Sequence, residues 1–168
     1  FRSDRMVQYY FLSPDGSKIA VGSVVDVPGG RDTIIEVGSF RADAPLRKVW
    51  SFADGGGFFP QSFHPDGDRL LGHRNHEFDD GEKAFGIFEL DLKSGELGEV
   101  HTPPEGAVLG LWSPDADILL FQRIADSFGM TQPKGFLFNP TTGDTVQVGE
   151  LPMYDKQWID RKSTRLNS

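Results

Sequence analysis

The sequence predicts an all-β fold built from three consecutive units of about fifty residues, and three observations support this prediction. A turn of the Pro-Asp-Gly type recurs, with its prolines 51 and then 49 residues apart. A second, glycine-containing turn recurs in the last two units, with its glycines 48 residues apart. Prolines and glycines interrupt every window long enough to hold an amphipathic helix. The recurring turns are Ser13-Pro14-Asp15-Gly16, His64-Pro65-Asp66-Gly67 and Ser113-Pro114-Asp115-Ala116.

The residue types of these turns fit tight connections between antiparallel strands. Proline fixes φ near the value that the first corner of a type I turn needs, and the preceding Ser or His can accept a hydrogen bond from a turn amide. The closing glycine supplies a positive φ, as in a G1 bulge. In the third turn Ala116 replaces that glycine. The positive φ then falls on Ala116 or Asp117, and we expect a distorted turn there.

A second hairpin completes each unit. In the second unit, apolar segments at 85–92 and 97–100 flank the turn Lys93-Ser94-Gly95-Glu96. In the third unit, segments at 135–138 and 145–148 flank a turn that contains Gly143. The first unit has strand-like segments at 33–37 and 46–52, but a longer connection without glycine joins them. Each unit therefore predicts four short antiparallel strands.

A four-stranded sheet that is apolar on both faces can bury them only by stacking on similar sheets. The repeat therefore predicts an incomplete β-propeller of about three four-stranded antiparallel blades. The predicted blades are about 6–52, 58–101 and 107–149, and residues 153–159 are predicted to be the first strand of a fourth. A two-layer antiparallel sandwich is the alternative, because it also uses short strands joined by turns.

Both ends of the chain have features that bear on fold interpretation. The chain opens with Phe1 in a polar stretch that lacks the pattern of a secretory signal, and we expect it to be part of a longer protein. Residues 160–168 resemble the translation of a sequencing adapter and are predicted to be a non-native tail. The alternative is a disordered natural tail. In both cases the segment is left out of the fold prediction.

Charge and cysteine content limit the classes of partner and site. The net charge of −8 repels phosphate backbones, and basic residues are not clustered with aromatic ones, so a nucleic-acid partner is not expected. The absence of cysteine excludes disulfides and thiolate metal sites, but it leaves both a periplasmic and a cytoplasmic location open. The longest apolar runs are four or five residues, whereas a membrane-spanning helix needs roughly 20. No membrane span is predicted.

The repeat resembles the WD-like, TolB-type β-propeller family. The resemblance lies in an apolar strand, the Ser-Pro-Asp-Gly turn and a second strand, at 11–21, 63–71 and 112–120. It implies a ring of six to eight blades and a non-catalytic scaffold that binds a protein or peptide. The repeat is also similar to the gating propeller of prolyl-oligopeptidase-type serine peptidases, whose catalytic domain would be missing here. A lactonase or lyase propeller with metal ligands at its channel mouth is a third hypothesis.

The resemblance also implies where a ligand would bind. The ligand face would consist of the loops between second and third strands and of the connections between blades, opposite the Ser-Pro-Asp-Gly turns. Arg74 and Arg123 are at the ends of the second strands of their units and could together clamp a carboxylate. Alternatively, each could cover a phenylalanine or leucine of a neighbouring blade. Asp26 and Asp126 could flank the channel mouth. The candidate residues are Arg74, His76, Asp79, Asp80, Arg123 and Asp126.

Metal, cofactor and catalytic sites have little support in the sequence. Asp79, Asp80 and Glu82 could hold a cation, but their spacing does not match a calcium loop, and a solvated acidic loop is favoured. His73 and His76 are three residues apart, which suits a helix rather than a strand. The Gly-x-Ser-x-Gly nucleophile motif is absent. We therefore predict no metal site, no cofactor and no catalytic residue.

Overall fold

A computed structural model describes most of the chain before residue 151. The described residues are 5–28, 30–41, 43–53, 58–77, 83–103, 106–123 and 134–150. The predicted strand at 153–159 and the predicted non-native tail at 160–168 lie outside these ranges and stay predictions. Within the described residues, no helix has the length and apolar character needed to cross a membrane.

Twelve strands form three four-stranded sheets, and within each sheet consecutive strands pair antiparallel in chain order. The first sheet holds β1 (Arg5–Leu12), β2 (Lys18–Val27), β3 (Gly30–Ser39) and β4 (Arg47–Ala53). The second holds β5 (Phe59–Phe63), β6 (Arg69–Glu77), β7 (Lys83–Asp91) and β8 (Leu97–His101). The third holds β9 (Ala107–Trp112), β10 (Leu119–Arg123), β11 (Lys134–Phe138) and β12 (Thr145–Glu150).

The three sheets repeat one another in register as well as in strand order. The pairs that close the first turns occupy equivalent positions, and a register shift interrupts the pairing of the first two strands in every sheet. A second shift interrupts the pairing of the last two strands in every sheet. Such bulges increase local strand twist. The closing pairs are Leu12–Ile19, Phe63–Leu70 and Trp112–Leu119.

The first turns are stabilised by the residue types that predicted them. Ser13 Oγ accepts a hydrogen bond from the Lys18 amide at 2.9 Å, and Ser113 Oγ accepts one from the Ile118 amide at 3.0 Å. In the second turn His64 Nδ1 accepts from the Asp66 amide at 3.2 Å. Hydrogen bonds from Ser13 and then Ser17 lower the pKa of Asp15 to about 2. The acceptor role predicted for the residue before each proline is therefore observed.

The third turn retains the geometry of the others although it lacks the closing glycine. Ala116 adopts a φ of 62°, close to the 70° of Gly16 and the 72° of Gly67. Its amide donates to the Ser113 carbonyl at 2.9 Å, as the Gly16 amide donates to the Ser13 carbonyl at 2.8 Å. The distortion that we expected is not seen in these hydrogen bonds. The strain is confined to the backbone of Ala116 itself, because a left-handed conformation brings Cβ too close to the following carbonyl.

Replacing Ala116 with glycine is expected to raise the free energy of unfolding by about 1 kcal/mol. Glycine removes the left-handed strain of about 1–2 kcal/mol, and the added freedom of the unfolded chain offsets part of that gain. Urea denaturation of the protein and the Ala116→Gly variant measures the difference. Gly16→Ala is the matched reverse change and should lower the stability by a similar amount. Equal stabilities would show that the Ala116 backbone carries no strain.

The sheets stack face to face, and both faces of the second sheet are buried. Leu70 belongs to the core between the first and second sheets, whereas its neighbour Leu71 belongs to the core between the second and third. β1 packs against β5, and β9 packs against β5, β6 and β7, so the first strands of the sheets lie on the same side of the stack. This arrangement differs from the alternative two-layer sandwich. It supports the predicted all-β repeat of stacked sheets.

A polar network crosses the interface between the second and third sheets. Glu89 of β7 has a side chain that is 11% exposed, and Trp112 of β9 donates to its Oε1 at 2.6 Å. Arg69 donates to Glu89 Oε2 at 2.5 Å and also pairs with Asp66 at 2.8 Å. The His64 ring is buried edge-on against Trp112. The protein can bury the Glu89 carboxylate at this interface because hydrogen-bond donors from Arg69 and Trp112 compensate for its loss of water.

Candidate functional site

The two candidate arginines lie at corresponding positions in successive sheets. Arg74 follows Pro65 by nine residues and Arg123 follows Pro114 by nine, and each lies towards the end of its sheet's second strand. In an antiparallel meander this end is opposite the Ser-Pro-Asp-Gly turns. Both side chains are half-buried. The repeat therefore places one guanidinium group in each of two neighbouring sheets.

Arg74 reaches across to the first sheet. Its guanidinium carbon lies 5.3 Å from the centre of the Phe52 ring on β4, within the range of a cation–π contact. The Nε atom of Arg74 is buried and has no hydrogen-bond partner among the described residues. The side chain thus spans an interface between sheets while one of its donors stays unused in this part of the chain.

Arg123 lies over a ring of its own sheet. Its guanidinium carbon is 4.1 Å from the centre of Phe136 on β11. Burial, followed by the positive charge of Arg123, lowers the pKa of His101 on β8. The His101 ring stacks on Phe138 with 4.0 Å between ring centres. An arginine, an imidazole and phenyl rings therefore meet where the second and third sheets join.

His73 is also enclosed by aromatic rings. It stacks on Phe59 at 5.2 Å and meets the edge of Phe85 at 5.3 Å. Burial lowers its pKa to about 4, and its Nδ1 has no hydrogen-bond partner among the described residues. An uncharged imidazole packed in this way acts as part of the apolar core at neutral pH.

The lowered pKa values of His73 and His101 predict that the protein loses stability in mild acid. In the unfolded chain a histidine takes up its proton near pH 6.5, whereas folded His73 does so only near pH 4. The free energy of unfolding should therefore fall as the pH drops from about 6.5 to about 4, by about 3 kcal/mol from His73 alone. His101 acts in the same direction.

Urea denaturation at a series of pH values measures this dependence. His73→Phe preserves the aromatic packing and removes the titrating group, so its stability should vary less with pH across the same window. Comparison with this variant separates the histidine from the carboxylates that titrate below it. Identical pH profiles for the protein and the variant would contradict the assignment to His73.

The remaining candidates are only partly described. The backbone of His76 pairs with Ala84 at the end of β6, but its side chain is not described. Asp79, Asp80 and Asp126 lie outside the described residues. Asp26 is exposed on β2. In the described ranges, no group of three or more His, Asp or Glu side chains could hold a metal ion.

Comparisons with known proteins give a fold. No protein-family model matches the sequence, and no curated protein matches it either. Among solved structures, TolB from Acinetobacter baumannii is similar with a TM-score of 0.56 and 14% identity, over 84% of this chain and 32% of that one. A candidate TolB from Agrobacterium tumefaciens is similar with a TM-score of 0.57 and 16% identity, over 84% of this chain and 46% of that one.

A third similar structure is the β-propeller domain of the Trilobed protease from Pyrococcus furiosus. Its TM-score is 0.55 at 11% identity, over 92% of this chain and 45% of that one. The three sheets are blades of a β-propeller. The chain spans about a third to a half of the length of these three matched chains. Since all three identities are low, the similarity defines the fold and leaves the ligand open.

The propeller contains functional candidates that the sequence interpretation missed. The Phe52 and Phe136 rings beneath the arginines and the stacked His101 were not among the predicted site residues. A sequence signal existed for the arginines, because they recur at one position of the repeat. The alternative interpretation, in which each arginine covers a Phe or Leu of a neighbouring blade, describes Arg74 over Phe52 but not Arg123, because Phe136 belongs to the same blade as Arg123.

Proposed function

We propose that this chain is part of a β-propeller scaffold that binds a protein or peptide at the end of the blades opposite the Ser-Pro-Asp-Gly turns. The observation that carries the proposal is the repeated arginine. Arg74 and Arg123 occupy the same position in consecutive blades, and each guanidinium lies over a phenyl ring. A guanidinium supported in this way loses less freedom when it binds a carboxylate through two parallel hydrogen bonds.

The ligand class follows from the chemistry of these groups. Carboxylates of acidic side chains or of a chain terminus match the paired terminal N–H donors of arginine. The proposed ligand face also includes the other predicted polar residues, His76 at the end of β6 together with Asp79, Asp80 and Asp126. Their contribution to ligand binding is part of this proposal.

A library of short peptides with free carboxyl termini tests the proposal. The protein should enrich a subset of peptides, and the double variant Arg74→Gln/Arg123→Gln should bind that subset about tenfold more weakly, since hydrogen bonds to charged groups contribute about 1.5–3 kcal/mol. The control Arg41→Gln/Lys48→Gln removes two exposed cations elsewhere and should bind normally. Failure to enrich any peptide, or equal binding by the double variant and the control, would overturn the proposal.

A substrate-gating propeller of a serine peptidase is the second candidate. The observation that favours it is the similarity to the propeller domain of the Trilobed protease. The coding sequence that surrounds this segment distinguishes the two functions. A hydrolase domain with serine, aspartate and histidine in catalytic order after the last blade would support the peptidase. A gene that encodes propeller blades alone would exclude it.

A further inference from the structure

A cleft lies between the first and second blades, at the end where the Ser-Pro-Asp-Gly turns are found. Its volume is about 380 Å³, within the range of cavities that hold small ligands. Val37 of β3 and Leu92, which follows β7, supply its apolar lining. The cleft shares no residue with the arginine positions at the opposite end of the blades.

Both carboxylates of the cleft are engaged by groups of the protein. Asp68 Oδ1 pairs with Lys18 Nζ at 2.5 Å, and the same ammonium group donates to the Gly67 carbonyl at 2.9 Å. Asp91 Oδ1 accepts from the amides of Lys93 at 2.9 Å and Ser94 at 2.7 Å. Hydrogen bonds from Ser94 are the largest of several causes that lower the pKa of Asp91. Asp68 is thus paired with a cation, whereas Asp91 keeps its negative charge, because the backbone amides that bind it are neutral.

Among the described residues, two cations of the cleft have no carboxylate partner. Arg47 donates from one terminal nitrogen to the Leu92 carbonyl at 2.6 Å, and this neutral acceptor does not compensate its charge. In the part of the chain that the structure describes, no ion pair joins a carboxylate to Arg47 or to Lys93. The cleft thus presents two available positive charges beside an apolar surface, in a chain whose net charge is −8.

We propose that this cleft binds an acidic peptide segment that carries an apolar side chain. A carboxylate of the segment would pair with Arg47 and Lys93, and the apolar side chain would cover Val37, which is half-buried, whereas Leu92 is already buried in the core. Charge complementarity favours an anion, because the three cations Lys18, Arg47 and Lys93 outnumber the two carboxylates that line the cleft. The apolar lining favours a peptide over a bare inorganic anion.

Titration of the isotope-labelled protein with acetyl-Glu-Leu-Glu-amide, followed by amide chemical shifts in NMR, tests the proposal. The shifts should concentrate at Val37, Leu92 and Lys93, and should be weaker at high salt because exposed charges are screened. The neutral peptide acetyl-Gln-Leu-Gln-amide should produce no such shifts. Equal shifts with both peptides, or shifts that map elsewhere on the protein, would overturn the proposal.

Matched variants assign the effect to the two cations. Arg47→Gln/Lys93→Gln should weaken binding of the acidic peptide about tenfold. Lys93→Gln alone alters an exposed side chain and should weaken it to a smaller extent without affecting the fold. Lys48→Gln removes the neighbouring exposed charge and should bind normally. Unchanged binding by the double variant would exclude the cleft, and this result is independent of Arg74 and Arg123.

Discussion

Glu89→Ala is expected to lower the free energy of unfolding by about 3 kcal/mol, because the indole N–H of buried Trp112 loses its acceptor and the Arg69 guanidinium loses one of its two carboxylates. The change deprives Arg69 of a partner at 2.5 Å and leaves the indole N–H of Trp112 without its acceptor. Arg69 keeps its second partner, Asp66, which moderates the loss. Urea denaturation at neutral pH measures the effect.

Glu96 provides the matched control for this change. It lies on the same blade, but it is exposed in the hairpin between β7 and β8. Glu96→Ala should change the stability by less than about 0.5 kcal/mol, as is usual for surface positions. If Glu89→Ala were as stable as Glu96→Ala, the network would contribute little to the joining of the second and third blades.

Gly72→Ala is expected to destabilise the protein by about 3 kcal/mol, at the upper end of typical overpacking effects. An added Cβ would lie 2.4 Å from the carbonyl oxygen of Phe59 and 2.7 Å from the Cα of Pro60. These backbone atoms belong to β5, which pairs with Gly72, so they cannot move without loss of strand pairing. The Phe58 ring, 2.6 Å away, is fully buried and has no room to withdraw.

Gly98→Ala is the matched control, because a Cβ at that position would meet nothing within 4 Å. In an exposed strand, alanine restricts the unfolded chain more than glycine does, so this variant should be as stable as the protein or slightly more so. Thermal denaturation of both variants gives the comparison. A similar melting temperature for Gly72→Ala and the parent protein would contradict the close backbone approach at Gly72.

Local turn chemistry made much of this fold predictable from the sequence. Pro14, Pro65 and Pro114 fix the start of each turn, and the turn residues fix which strands become neighbours. The four-strand units and their stacking were predicted on that basis and agree with the structure. These features depend on residues close together in the chain, which is why one sequence contains enough information to predict them.

The candidate site was less predictable because its contacts join residues far apart in the chain. The repeat identified Arg74 and Arg123 as equivalent positions and left open that each covers a phenylalanine or leucine of a neighbouring blade, but it did not identify Phe52 as the ring beneath Arg74. The cleft around Arg47 and Lys93 was missed for the same reason, since it combines β3 and β4 of one blade with a hairpin of the next. The predicted ligand face rested on the family resemblance and lies at the opposite end of the blades. No ligand was therefore predicted for the end that holds the Ser-Pro-Asp-Gly turns and this cleft.

The left-handed alanine of the third blade bears on how such repeats are found in other genomes. All three turns retain an aspartate whose carboxylate faces the amide two residues later, at 3.0 Å from Ser17, 2.8 Å from Asp68 and 3.4 Å from Asp117. Glycine occurs in only two of the three turns. A search profile that requires glycine would undercount the blades of a diverged homologue, whereas one weighted on proline and aspartate would retain them.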